Sequence, residues 1–301
     1  MESMVAKITQ IILSPVLALI VGVFFLGLAR KIMARIHWRY GPPLVQPVID
    51  IIKLLYQKSV SHGRMFDLGM VLSLTGSIVV VLFLPFGKMC PLSSSGGLLV
   101  ILYIMLLAPL GMALSGGQGA NPNISIGISR KLILSLGYEV PLLLVLLAVM
   151  TRYKTISITE VVNAQQSTGW LLFSWPLFFS GISYLLILPA ILGIRPFDVS
   201  SAPQEISSGP MTEYGGKYLA LATIEHAFAL YISIALFVNL FLGGAANPVI
   251  FFVKMLVIFV FGLCINAVFP RFRIEQAVNY LWKWPTLLAF VSLIITLAIR
   301  S

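Results

Sequence analysis

Along the chain, apolar stretches of about twenty residues alternate with short polar breaks, and twenty residues is the length a helix needs to cross a bilayer core. Eight stretches have that form, near 11–29, 68–87, 97–114, 132–150, 171–193, 218–242, 248–269 and 285–299. The breaks are an Arg/Lys cluster at 30–39, turn residues at Pro91 to Gly97 and Gly116 to Asn123, and Gly-Gly-Ala-Ala-Asn-Pro at 243–248. The first run, Ile11 to Leu28, is too long for a signal peptide and has no small-residue cleavage site, so it reads as a first span. The pattern predicts an all-α integral membrane protein, a single polytopic domain over 1–301 with about eight transmembrane helices. One loop carries its own period. Leu44, Val48, Ile51, Ile52 and Leu55 recur at helical spacing, with Gln46, Asp50, Lys53 and Gln57 opposite, which predicts a short amphipathic helix on the membrane surface or under a partner.

Composition agrees with this picture. The 301 residues are 59% hydrophobic and 10% charged, against about 25% charged in soluble domains. The net charge of +10 would suggest nucleic acid in a soluble protein; here it reflects lysine and arginine at the cytoplasmic ends of spans. With the N-terminus outside, Arg30, Lys31, Arg35, Arg39, Lys53, Lys58, Arg64, Arg130, Lys131, Arg195, Lys217, Arg271, Arg273 and Lys283 lie inward. Only Lys7, Lys88, Arg152, Lys154 and Arg300 lie outward, and Lys254 is within a span. Both termini are therefore expected outside a cell membrane. The acids follow the same bias: Asp50, Asp67, Asp198, Glu205, Glu213 and Glu275 are inward, Glu139 and Glu225 are in spans near their inward ends, and only Glu2 and Glu160 face out. The positive-inside rule does not require that second asymmetry, so it points to a function on the inward side.

Several chemistries are excluded. Two cysteines, Cys90 and Cys264, cannot hold an iron–sulfur cluster that takes four thiolates, and His37, His62 and His226 lack metal-ligand spacing. Ser115-Gly116-Gly117-Gln118-Gly119 lacks the Lys-Ser/Thr ending of a phosphate loop and reads as a turn. No internal repeat appears, which counts against an inverted-repeat transporter.

Chemistry concentrates in two places. The inward loop 194–217 holds Arg195-Pro196-Phe197-Asp198, Gln204-Glu205, Gly209-Pro210 and Glu213-Tyr214-Gly215-Gly216. Its carboxylates fit either proton exchange near a low-dielectric surface or routine capping in a solvated loop. Glu139 and Glu225 sit in apolar spans, where an ionisable group costs about 2.5–3.5 kcal/mol to insert. They fit a proton relay or an ion pair between helices. Lys254 reads the same way, and His226 reads as a partner of Glu225.

At this level of detail the chain resembles the membrane component of respiratory complex I that joins the peripheral and membrane arms. The resemblance rests on Ala29-Arg30-Lys31 with Arg35, Arg39-Tyr40-Gly41-Pro42, Gln46-Pro47 with Asp50 and Lys53, and Arg130 followed by Tyr138-Glu139. It continues through Arg195-Pro196-Phe197-Asp198 to Glu213-Tyr214, Glu225, Lys254, Phe269-Pro270-Arg271-Phe272-Arg273 and Trp282-Lys283. What the resemblance implies is a noncatalytic platform. Hydrogenase-like large and small subunits and a ferredoxin-like subunit would dock inward, on Arg30, Lys31, Arg35, Arg39, Asp50, Lys53, Arg271 and Arg273, with antiporter-like subunits in the membrane. Glu139, Asp198, Glu205, Glu213 and Glu225 would be coupling acids, with Arg130 and Lys254 as basic partners. Cofactors would reside in the partners, as iron–sulfur clusters and a nickel–iron site, and none in this chain.

The departures select a branch. Gly41-Pro42-Pro43 runs almost directly into Leu44, without the longer stretch that helps shape a quinone chamber. Ser201 and Pro203 stand where the family usually has glutamates, and Asn266 where it has arginine. These features are similar to the membrane-anchor subunit of energy-converting membrane-bound nickel–iron hydrogenases and related ferredoxin-dependent sulfur-reducing complexes, which pump protons or sodium. The competing readings are the quinone-site subunit of an NADH:quinone oxidoreductase and a stand-alone secondary transporter.

Overall fold

The computed structural model describes residues 2–87, 89–92, 97–119 and 121–300; Lys88 and residues 93–96 lie outside it, as do the side chains of residues 2–6 and of Arg300. The elements are α1 (Glu2–Ile36), α2 (Gln46–Tyr56), α3 (Arg64–Phe83), α4 (Gly97–Met105), α5 (Leu107–Gly116), α6 (Pro122–Tyr153), α7 (Ile158–Thr168), α8 (Phe178–Ile191), α9 (Pro203–Ile206), α10 (Lys217–Phe241), α11 (Pro248–Val268) and α12 (Ile274–Arg300). Short 3-10 turns cover Leu171–Phe173 and Gly209–Glu213. Seven spans are long and apolar enough to cross a membrane, with α4 and α5 counting as one, so this is a multi-pass membrane protein.

The fifth predicted span, 171–193, is shorter than expected. Pro176 interrupts the run from 171, so the helix begins at Phe178 and its fourteen residues reach about 21 Å. The α4–α5 span is broken at Leu106, where Pro109 has no N–H to give to the Met105 carbonyl. α6 is longer than predicted. Asn121 caps it by accepting from the Asn123 amide at 3.0 Å with Pro122 in the first turn, so the helix starts ten residues before the apolar run at 132. Asn247 and Pro248 start α11 in the same way.

One face of the bundle is the basic one, formed by residues 37–63, 117–119, 121, 193–216 and 269–273. There α2 is amphipathic as predicted: Ile51 and Leu54 pack with Val23, Ala220 and Ala227, while Val48, Ile52 and Leu55 stay exposed.

α10 is the most buried span and packs against α1, α2, α3, α7, α8 and α11. Lipid offers no hydrophobic drive for helices to associate, so close contact rests on small residues. α3 and α5 meet backbone to backbone at Gly69 and Gly111, where an added Cβ would lie 2.5–2.6 Å from backbone atoms across the pair. At Gly22 on α1, a Cβ would sit 2.2 Å from the Ala227 carbonyl oxygen of α10. Gly22→Leu is therefore expected to cost about 3 kcal/mol or more by forcing α1 off α10. The measurement is a thermal unfolding curve in mild detergent; an unchanged midpoint would contradict the contact.

Candidate functional site: a buried charged cavity under a pinned loop

Three side chains of α6 are set by helical spacing on one face: Lys131, Leu134 and Tyr138. Facing them on α10 are Glu225, His226, Ala229 and Ile232. Together with Ser77 and Val80 of α3, Met105 to Met112 of the broken span and the end of α8, they line a partly open cavity of about 270 Å³. Ser200, Ser201 and Met211 of the loop 194–217 close it on the basic-face side. Glu225 is 4% exposed. Its electrostatic complement is Lys131, whose ammonium donates not to the carboxylate but to the Met112 Sδ at 2.7 Å. Among the described residues the two charges share the cavity without closing to an ion pair. Such an arrangement keeps both groups able to change partner or proton, because buried charges need compensation but here have not locked onto each other.

Glu139 does not line this cavity. It lies on the next face of α6, half-buried, with its Oε1 buried and without a hydrogen-bond partner. Tyr138 lines the cavity, and the charges of both Glu139 and Glu225 act on it. His226 lines the cavity as well, and the charges acting on it are those of Lys131 and Asp198.

The loop is pinned by two ion pairs that span distant parts of the chain. Arg271 donates to Asp198 at 2.9 Å, and Ser201 donates to the same carboxylate. Arg130 donates to Glu205 at 2.8 Å. That guanidinium holds the Glu205 carboxyl below the usual glutamate range. The pair is therefore intact at neutral pH and is lost as the pH falls through that lowered value. Phe197 packs between Phe272 and Tyr280 with ring centroids 5.6 and 5.7 Å away, and the Phe272 amide donates to the Pro196 carbonyl at 2.9 Å. Asn266, which replaces an expected arginine, accepts from the Arg195 amide at 3.1 Å and ties the loop to the end of α11.

Glu213 stands apart from the cavity. Its Oε2 is 3.9 Å from His62 Nε2, beside Gly119, in a cluster with Phe66, Tyr214, Asp67 and Tyr218. Burial pushes the Tyr214 phenol up.

The predicted docking residues spread over the basic face. Arg30 donates to Asp50 at 2.8 Å and Gln46 donates to its other oxygen at 2.9 Å. These bonds, Arg30 first, hold the Asp50 carboxyl below the ordinary aspartate range. Arg35 lies over Tyr40 at 5.0 Å and is exposed, as are Arg39, Lys53 and Arg273, while Lys31 is half-buried. Arg271 is engaged within the chain by Asp198.

Lys254 is not brought to any of the acids predicted to couple. It lies two turns into α11 on the face opposite the loop, donating to the Leu242 and Gly244 carbonyls at 2.6 Å each and lying 4.9 Å over Trp170. Gln165 donates to the Asn239 and Leu240 carbonyls beside it. Together they satisfy the C-terminal carbonyls of α10, where a cation is favoured by the helix dipole. In turn, Lys131 belongs to the site although it reads from sequence as a topological lysine. The available signal was its seven-residue spacing from Tyr138, masked by placing the span's start one residue later.

Three comparisons with known proteins place the chain in a family. The chain matches the NADH dehydrogenase family over residues 8–297. It is 32% identical over 289 residues to the H-type subunit of the NADH-quinone oxidoreductase of Dehalococcoides mccartyi, covering 90% of this chain and 80% of the relative. It is also 32% identical over 295 residues to the corresponding H-type protein of Protochlamydia amoebophila, covering 89% and 90%. Among solved structures, a chain of the membrane-bound sulfane sulfur reductase, an archaeal respiratory membrane complex, superposes with a TM-score of 0.93 at 37% identity, over 97% of this chain and 99% of that one. The chain thus belongs to the family of H-type NADH dehydrogenase membrane subunits.

Proposed function

We propose that the chain is the membrane-anchor and proton-coupling subunit of a ferredoxin-driven, complex I-like assembly in the cell membrane, of the sulfur-reductase or hydrogenase type, that moves protons or sodium. The basic face is the cytoplasmic one, both termini lie outside, and hydrogenase-like and ferredoxin-like subunits carrying the iron–sulfur clusters dock on it. Antiporter-like subunits adjoin in the membrane. The observation that carries this reading is the cavity, in which buried Glu225 and half-buried Lys131, Tyr138 and His226 meet without an ion pair among them, under a loop held by Asp198 and Glu205. A charge change in the docked module alters the field at that loop. Glu225 then takes up a proton as its charge loses compensation, and Tyr138 offers a hydroxyl on the way to Glu139.

The quinone-reducing alternative has one feature to examine. A second cavity of about 530 Å³ lies between α1, α2 and α10. Its lining is Leu19, Ile20, Val23, Phe24, Leu44, Val45, Val48, Ile51, Ile52 and Ile224, with no polar side chain. A site that reduces a quinone needs a hydrogen-bonding or proton-donating group at the ring. This lining supplies only an apolar wall, so this chain's own side chains at this cavity offer no group to protonate a quinone ring.

The test is extraction of the tagged chain from its native membrane in mild detergent. Iron–sulfur-bearing and metal-bearing subunits are expected to copurify stoichiometrically. Recovery of the chain alone, as a stand-alone transporter would behave, would sink the proposal.

A further inference from the structure

Between α2 and α3 the chain crosses the basic face as a strap, residues 57–63, that the coupling mechanism above does not use. The strap is fastened at both ends. Its Gln57 and Lys58 carbonyls lie against Gly216, where an added Cβ would come within 2.9–3.1 Å of them. Ser61 donates to Asp67 at 2.9 Å and accepts from the Gly63 amide, and Tyr218 donates to the same Asp67 carboxylate. This geometry presents His62 edge-on to Phe66, with ring centroids 5.1 Å apart, and aims its Nε2 at Glu213. The ring is about one third exposed, so one side meets water and the other meets the acid.

The titratable groups in this neighbourhood are Glu213 and Tyr214 from the end of the loop, Lys217 and Tyr218 from α10, Arg64 and Asp67 from α3, and Lys58 on the strap itself. Asp67 is already engaged by Tyr218 and Ser61, which leaves Glu213 as the carboxylate within 4 Å of the ring.

We propose that His62 is the proton relay that loads Glu213 from the aqueous side of the basic face, a role that rests on the coupling function proposed above. The imidazole takes a proton at Nδ1 from water, and the N–H at Nε2 passes its proton to the Glu213 Oε2 once the 3.9 Å gap closes to hydrogen-bond length. The ring is left neutral with its proton on Nδ1, and Glu213 becomes a neutral carboxylic acid. Because the strap leaves α2 directly, movement of α2 under a docked partner would open or close that gap. An imidazole suits the step because it is the side chain that exchanges protons near neutral pH.

The experiment follows proton uptake by the intact purified complex with a pH-sensitive dye after reduction with dithionite. His62→Ala is expected to slow uptake on the order of a hundredfold. Added imidazole should restore the rate in proportion to its concentration, since the vacated site faces solvent. His62→Gln should stay slow and resist rescue, because the glutamine occupies the space without relaying a proton. Wild-type uptake in His62→Ala, or a defect that imidazole leaves untouched, would overturn the role. Glu225→Gln run in parallel separates the two claims. If it abolishes uptake while His62→Ala does not slow it, only the relay fails; if it leaves uptake intact, the coupling function itself fails.

Discussion

Replacing Glu225 by glutamine is expected to stop redox-driven proton movement while the complex still assembles. The substitution keeps the side chain's size and removes its charge, at a position only 4% exposed in the wall of the cavity. The loss should be on the order of a hundredfold or more, the usual contribution of a positioned acid–base group. It should be reproduced by Lys131→Met, since either change leaves the remaining charge without its complement across the cavity. Each single variant should also lose about 1–3 kcal/mol of stability, because one buried polar group becomes undercompensated. Proton translocation in proteoliposomes, read beside electron transfer, checks the pair. Normal translocation in Glu225→Gln would remove the cavity from the mechanism.

Glu139 is expected to behave in the opposite way toward stability. Its Oε1 is buried with no partner among the described residues, so the carboxyl is a cost in this chain. Glu139→Leu should therefore raise the thermal midpoint of the purified chain, by about 1–3 kcal/mol in free energy. The same change should abolish proton translocation, while electron transfer continues uncoupled, because the proposed path out of the cavity runs from Tyr138 to this acid. Glu139→Gln should uncouple with little change in stability. A group kept for folding would give the reverse result, with lower stability and intact pumping. Comparing the two readouts for Glu139→Leu decides between them.

Much of the fold was legible because its cause is local. Apolar length and turn residues set the spans, and the period of 44–55 set α2. Where the sequence reading erred, a single residue altered the backbone. Pro176 and Pro109 interrupt runs that look continuous by hydropathy, and the Asn121-Pro122 cap starts α6 well before its apolar residues. That early start decided the reading of Lys131, which lies nine residues into a helix and not at its edge.

The site was only partly legible. The acids were visible from their cost in an apolar context, yet their partners were not. Asp198 and Arg271 are 73 residues apart, Arg130 and Glu205 are 75 apart, and a loop acid has several basic residues to choose from. Lys254 shows the converse. A lysine inside a span reads as functional, but here the nearest acceptors are the free carbonyls at the end of α10, and that end is brought to it only by the tertiary fold.

The central claim is that the cavity carboxylate changes protonation when the complex changes redox state. Reduced-minus-oxidised infrared difference spectra of the intact complex test it most directly, through the C=O stretch of a neutral carboxylic acid. The account predicts such a band in the wild type, shifted in heavy water and absent from Glu225→Gln. A wild-type spectrum with no carboxylic acid band, or one that survives unchanged in Glu225→Gln, would contradict it.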